Sequence, residues 1–290
     1  MDDPTLYLEA HELQRNDAEN FYQEFASKIQ WRTDGLDTLI DVGSGPGDIT
    51  ADIIYPLMPV NFQRLVFSDI KPSMVKYCKQ KYTHLEKSEF RVLNIETSDD
   101  LPSDLEGKFN HVTSNYCLQL VPNLGQAFRN IYKLLRPEGG DILINTAPYV
   151  AVFEGYTSLS KQDKWSAYLY GMEEYTSSLQ NDDNPRQHML DLLADVGFTD
   201  CFVETRERDY KYTWDAFKKN MRAISPYIHR IPVTKKDEFM NDYAEAMANL
   251  EWEYSLYNKS DRTIRMPYKQ MVIYARKSPK QEILGNHSLN

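Results

Sequence analysis

Cysteine is scarce in this chain: Cys78, Cys117 and Cys201 are the only three, and they stand far apart. Their spacing excludes a disulfide framework or a cysteine-rich metal site, and it fits a reducing, cytoplasmic setting. Histidine is sparse too. No two of the six lie three or four residues apart, so no pair of rings shares one helix face as metal ligands do, and no metal is expected. Long apolar runs are missing; none approaches the ~20 residues that cross a bilayer. The opening stretch MDDPTLYLEA is acidic and has no basic–apolar leader pattern, so the NKS and NHS acceptors at Asn258 and Asn286 are read as unused. A basic stripe is also absent. The net charge is −10, and short basic clusters such as 76–81 and 218–219 read as solvated helix faces, which argues against a nucleic-acid partner.

What is present is a chain long and apolar enough for a large core, at 41% hydrophobic residues with 12% aromatic. Leu6, Ala10, Leu13, Asp17, Phe21, Phe25 and Ile29 recur at helical spacing and predict a helix over roughly 7–30. Strands and helices then alternate. TLIDVG, RLVFSDI, EFRVLNI, NHVTSNYC and DILINTA read as strands; DITADIIYPLM, KPSMVKYCKQKY and LGQAFRNIYKLLRPEGG read as helices between them. This alternation implies a parallel sheet covered on both faces. From 149 to 183 the rhythm breaks into a Tyr- and Ser-rich stretch. A helix ending at Gly197, a long strand from Phe198, helices near 213–225 and 236–255, and a last strand, YKQMVIYARK, follow. The organisation expected is one domain over 1–277. Residues 1–34 are a helical cover, 149–183 and 213–256 are cap insertions, and 278–290 are a polar, frayed tail.

LIDVGSGPGD, residues 39–48, is the first motif that carries chemistry. Glycines between a strand and a helix let main-chain atoms touch a ligand with no Cβ in the way. A dinucleotide site wants G-x-G-x-x-G, whereas here the third glycine comes one position early and Asp48 follows it. Asp41 and Asp48 would repel a pyrophosphate but suit S-adenosylmethionine, which carries a sulfonium and an ammonium and no phosphate. The cofactor residues expected are Asp41, Gly43, Ser44 and Gly45 on this loop. Asp69 ends the second strand and is placed to accept both ribose hydroxyls. Ile70 and Ile95 are expected to sandwich the adenine, with Asn94 on its amine. Ser114, Asn115 and Tyr116 end the fourth strand, toward the reacting end of the cofactor.

The order of these motifs resembles the class I methyltransferases that use S-adenosylmethionine. The resemblance implies a Rossmann-like α/β sheet of seven strands in the order 3-2-1-4-5-7-6 with strand 7 antiparallel, YKQMVIYARK being that strand. More narrowly, LQRNDA at 13–18, FASKIQWR at 25–32, DVGSGPGD, HVTSNYCLQLVPN, NIYKLLRPEGGD and the late YARK are similar to the insect juvenile hormone acid methyltransferase family, over about residues 5–277. That family methylates the carboxylate of farnesoic or juvenile hormone acids, so a small lipophilic acid is the implied substrate. Such an acid is already ionised at neutral pH, with a reference pKa near ~4.3, so no general base is needed. Gln14 matches the family's glutamine in the first helix and is expected to donate to the acid; Gln119 is a second candidate. Where many members carry His-Trp after YCL, this chain has Gln119-Leu120, which removes an aromatic wall and an N–H donor. A low-activity relative that binds the donor and terpenoid acids, or a methyltransferase for another small lipophilic acid, is therefore kept as an alternative. The apolar tunnel expected for the chain of the acid draws on Leu120, Tyr149, Phe153, Trp165, Met221 and Ile224. The assembly expected is a monomer or a homodimer.

Overall fold

The computed structural model describes residues 3–279; of the tail read from residue 278, all beyond Pro279 lies outside the described residues. At the centre is β1 (Thr38–Val42), buried at all five positions, as a strand covered on both faces must be. In parallel, β1 pairs with β2 (Arg64–Asp69), β2 with β3 (Ser88–Val92), β1 also with β4 (His111–Asn115), and β4 with β5 (Gly140–Val150). β6 (Thr199–Thr213), the two-residue β7 (Tyr257–Asn258) and β8 (Thr263–Lys277) complete the sheet. The order is β3-β2-β1-β4-β5-β8-β6, with β7 paired to the start of β8. β8 runs antiparallel to β5 and β6. This is the order anticipated, with β8 in the seventh position and one short strand more.

Helices cover the two faces. α1 (Pro4–Leu8) and α2 (Glu12–Phe25) come first, then α3 (Pro72–Tyr82) and α4 (Leu124–Leu134). α5 (Val152–Ser160), α6 (Asp163–Ser166), α7 (Pro185–Val196), α8 (Trp214–Ile224) and α9 (Lys236–Ala248) follow. Side chains cap several of them: Asn123 accepts from the Gln126 N–H and Asn184 from the Gln187 N–H, while Gly197, at φ +105°, ends α7.

Two helices differ from the sequence reading for identifiable reasons. The helix expected over 7–30 is broken at 9–11. Asp3 caps a separate first helix, accepting from Leu6 N at 3.0 Å. Past the break, His11 turns its ring down to Asp48, with Nε2 2.7 Å from Oδ2, and Asn220 of α8 donates to the Ala10 carbonyl. Tertiary partners therefore overrode the periodicity. After the glycine-rich loop the chain forms a wide π turn (Thr50–Ile54) and a 3₁₀ turn (Tyr55–Leu57), not a plain α-helix. Pro56, which has no N–H, stands where the ladder ends.

Among the described residues, the apolar side chains gather in three cores. One lies between the sheet and α4 and α7, around Ile131, Leu134, Ile142 and Ile273. A second lies on the opposite face under α2 and α3, around Phe21, Leu39, Phe67 and Leu143. The third holds the cap together, with Phe153, Trp165, Phe217, Met221 and Tyr243 packed against the far half of the β6–β8 ribbon. Each strand of that ribbon has 15 residues. At about 3.4 Å per residue it reaches about 50 Å and carries the cap beyond the ends of the parallel strands.

Candidate active site

The strand β1 turns into the glycine-rich loop because Gly43 N and Ser44 N both donate to the Ser68 carbonyl at 2.8 Å, closing the loop onto β2. Gly43, Gly45 and Gly47 all have positive φ. What excludes a side chain differs at each. A Cβ at Gly43 would stand 2.3 Å from Cys117 Sγ, and one at Gly47 would stand 2.7 Å from Cys78 Sγ. At Gly45 nothing lies within 4 Å. Two of the glycines therefore make room for the protein itself, and only Gly45 opens onto space for a ligand.

That space is a cleft of about 340 Å³ over the carboxyl ends of β1, β2 and β4. Gly43, Ser44, Gly45, Asp69, Ile70, Asn94, Ile95, Asn115 and Tyr116 all line it, so the sequence-picked loop and strand-end residues converge on one cavity. Asp69 Oδ2 accepts from Gly45 N at 3.0 Å and Oδ1 from Lys71 N at 2.8 Å, which fixes the carboxylate at the rim. Asn94 turns its Oδ1 to Glu96 N at 3.1 Å. Two larger hollows lie elsewhere, one beside α5 and α9 and one beside Tyr149 and Trp252; neither meets the loop.

The acidic residues of the motif divide into two kinds. Asp41 faces the cleft, but its oxygens accept from Thr50 Oγ1 at 2.5 Å and Thr113 Oγ1 at 2.8 Å. Burial pushes its carboxyl up to about 6, against the pull of those hydroxyls. It braces β1 against β4 and the π turn. Burial also works against the charge of Asp48, yet His11 and Arg15 outweigh it and hold that carboxyl below its ordinary value. Arg15 Nη1 reaches Asp48 at 3.1 Å and Asp52 at 2.8 Å. Asp48 thus ties the helical cover to the loop, a role the sequence did not reveal.

At the end of β4, Ser114 is fully buried and donates to the Val42 carbonyl at 2.7 Å; it joins two strands and does not line the cleft. Asn115 Nδ2 donates to Tyr22 Oη at 3.0 Å. Tyr116 holds a positive φ of +48°, uncommon outside glycine, and its hydroxyl donates to Asp17. Tyr268 donates to the same carboxylate at 2.6 Å. Asp17 went unnoticed in the sequence because it reads as one polar position on an amphipathic helix. Tyr7, Glu174 and Tyr175 also line the cleft. They come from α1 and the irregular 149–183 stretch, where no local pattern signals what a residue faces.

Gln14 is buried under the cover, with Oε1 3.5 Å from Asn220 Nδ2, and Gln119 Oε1 accepts from Thr146 Oγ1 at 3.1 Å. Neither is part of the cleft lining, whereas Leu120 is. Of the other tunnel residues, Trp165 and Met221 are fully buried, Phe153 nearly so, and Ile224 packs against them. Trp165 Nε1 donates to Asp242 at 2.8 Å. Tyr149 stacks on Trp252 at 6.0 Å between centroids, on the outer hollow. The volume assigned from sequence to a tunnel is occupied by the cap's own packing, because those aromatics have each other as partners.

Comparison with known proteins agrees with this geometry. A methyltransferase-domain profile matches residues 40–141. The juvenile hormone acid O-methyltransferase of Drosophila melanogaster is 40% identical over 281 residues, covering 97% of this chain and 94% of that protein. The Bombyx mori enzyme of the same name is 34% identical, covering 96% and 98%. Among solved structures, the YcgJ protein from Bacillus subtilis superposes with a TM-score of 0.58 at 13% identity, covering 90% of this chain and 99% of that one. Phosphoethanolamine N-methyltransferase 2 of Haemonchus contortus, bound to phosphomonomethylethanolamine and S-adenosylhomocysteine, superposes with a TM-score of 0.52 at 14% identity, covering 91% and 53%. These two likenesses are of fold.

Proposed function

The chain belongs to the juvenile hormone acid O-methyltransferase family, and from that footing we propose that it transfers the methyl group of S-adenosylmethionine to the carboxylate of farnesoic acid or a juvenile hormone acid, giving the methyl ester and S-adenosylhomocysteine. The observation that carries this reading is the cleft. It opens a backbone cradle at Gly45, sets Asp69 at its rim, and lines the space with the carboxylates of Asp41, Glu96 and Glu174 beside Lys71, a fourth, Asp48, being engaged by Arg15 and His11. A phosphate-bearing cofactor fits that balance poorly; a cationic, phosphate-free one fits it well.

S-adenosylmethionine, when bound, supplies a methyl group activated by its positive sulfur. The residues on this chain orient and enclose. Asp69, held by the Gly45 and Lys71 N–H groups, is the carboxylate we assign to two hydroxyls of the donor, and Ile70 and Ile95 present apolar surface for a ring. Tyr7 of α1 and Tyr175 of the irregular 149–183 stretch cover the cleft and keep water out. The acceptor is an anion before it binds, so catalysis rests on alignment, an effect that can reach roughly 7–11 kcal/mol. Leu120, Val121 and Tyr175 are the apolar part of the lining we assign to the neighbouring end of the acid. Gln14 is kept as the donor that the helical cover brings to the acid. Leu120 also supports a second reading, a relative that binds donor and acid but turns over slowly.

Incubation with methyl-labelled S-adenosylmethionine and a panel of isoprenoid acids tests this. Labelled methyl ester from farnesoic or juvenile hormone acid is expected. Binding of both ligands with no ester supports the slow relative, and transfer to no isoprenoid acid at all overturns the assignment.

A further inference from the structure

The 3₁₀ turn Met172–Tyr175 is the part of the irregular 149–183 stretch that meets the cleft, through Glu174 and Tyr175. Hydrogen-bond geometry in a 3₁₀ turn is poor, so one this short has little stability of its own. Within it, Glu174 N donates to the Gly171 carbonyl at 3.2 Å and Thr176 Oγ1 to the Met172 carbonyl at 2.8 Å. Past the turn the chain is tied to the strand ends. Ser177 N donates to the Gln119 carbonyl at 3.2 Å, and the Gln180 amide bonds both the N–H and the carbonyl of Val150.

Arg230 grips the near end. It stands just after α8, and its side chain is 12% exposed. Nη1 donates to the Tyr170 carbonyl, and Nη2 lies 3.7 Å from a Glu174 oxygen. The guanidinium carbon lies over the Tyr170 ring at 4.2 Å and the Tyr175 ring at 5.7 Å. It is also 5.6 Å from the ring of Tyr227, which is fully buried. Tyr175 packs edge-on against that same ring at 5.6 Å, and Tyr227 meets Tyr156 of α5 at 4.8 Å. Arg230 therefore joins the turn to the packed core of the cap. A planar fork can serve a carbonyl, a carboxylate and ring faces together, which a point charge cannot.

We propose that Arg230 clamps this turn so that Tyr175 stands as an aromatic wall beside Leu120 and Val121, against the carbons next to the carboxylate being methylated. The clamp rests on the carboxyl transfer proposed above. Arg230 does not line the cleft, whereas Tyr175, Leu120 and Val121 do. Tyr175 is thus the residue in contact with substrate, and Arg230 is a positioning residue. A ring already fixed loses no freedom when the acid arrives, and the apolar area it covers favours binding. The benefit falls on the acid rather than on the donor.

The test measures KM for farnesoic acid, the affinity for S-adenosylhomocysteine by calorimetry, and amide hydrogen exchange over 170–177. In Arg230→Ala, exchange across that segment is expected to quicken at least tenfold while the parallel strands stay as protected as in wild type. KM is expected to rise at least tenfold in Arg230→Ala and in Tyr175→Ala, with adenosylhomocysteine affinity within threefold. Once Arg230 is gone the ring is already loose, so the variant carrying both changes should be within threefold of the worse single one. If Arg230→Ala does not fold, Arg230→Met, which keeps much of the stem without the fork, takes its place. Unchanged exchange over 170–177, an unchanged KM, multiplying effects in the double variant, or a loss confined to adenosylhomocysteine affinity overturns the clamp. Wild type inactive on every acid would instead sink the reaction it rests on, and exchange alone would then decide whether Arg230 holds the turn.

Discussion

Replacing His111 by glutamine should destabilise the protein strongly and remove a pH dependence that wild type shows. His111 stands at the amino end of β4, on the rim of the sheet opposite the cleft, with Nδ1 2.7 Å from Asp141 and Nε2 2.8 Å from Asp37. All three side chains are at most 3% exposed. Two acceptor-only carboxylates face both nitrogens, so the ring serves both only when protonated. Burial alone would lower its pKa, but the two aspartates outweigh burial and raise it. Removing the central partner leaves two like charges buried together, a loss of about 3–5 kcal/mol. At roughly 2–3 °C per kcal/mol for a chain of this size, the melting temperature falls by about 6–15 °C.

The sign of the pH effect follows from the raised value. The folded state holds the proton above pH ~6.5, where the unfolded chain releases it. The stabilisation is therefore complete below that pH and is lost as pH rises toward the folded value, at up to ~1.4 kcal/mol per unit. Asp41, pushed up to about 6, adds a similar slope at lower pH, so the melts belong between pH 6.5 and 9. Wild type should lose stability across that range and His111→Gln should lose much less. Parallel curves for the two proteins would refute the charged ring.

Gly45→Ala should cost only the roughly 1–2 kcal/mol of an alanine held at positive φ, since its Cβ meets nothing, yet weaken S-adenosylhomocysteine at least tenfold by calorimetry; Gly43→Ala, which adds a clash with Cys117 to the same strain, should destabilise by about 3 kcal/mol or more in urea titration. Equal effects of the two would show that the loop does not divide as described. Asp69→Ala should weaken S-adenosylmethionine at least tenfold, because two hydroxyl contacts vanish together; unchanged affinity would move the ribose elsewhere. Gln14→Ala should lower turnover more than cofactor affinity, and the reverse pattern would assign Gln14 to the cofactor.

The parallel core was legible because strands such as TLIDV and RLVFSD are short apolar runs with glycine or proline at their exits, and the loop and Asp69 stand at fixed places relative to them. The antiparallel return of β8 between β5 and β6 was available only through family resemblance. Periodicity misled at residues 9–11, where His11 and Ala10 answer to Asp48 and Asn220, each far away in sequence. It could not tell a pocket wall from a core, so Trp165 and Met221 read the same in either role. The charge of Asp48 was visible, but its partners were not, because His11 at the break and Arg15 on α2 belong to a cover whose docking no local pattern encodes.

The long β6–β8 ribbon makes the molecule modular. Most of the cleft lining hangs from the ends of the first four strands, with Tyr7 of α1 and Glu174 and Tyr175 closing on it, while most of the segments 151–183 and 214–256 is mounted on an arm that extends past them. Substitutions in the arm's own core can therefore accumulate while the strand ends that form the cleft keep their shape. A gene that duplicates starts with one half of its chemistry settled and the other free to vary.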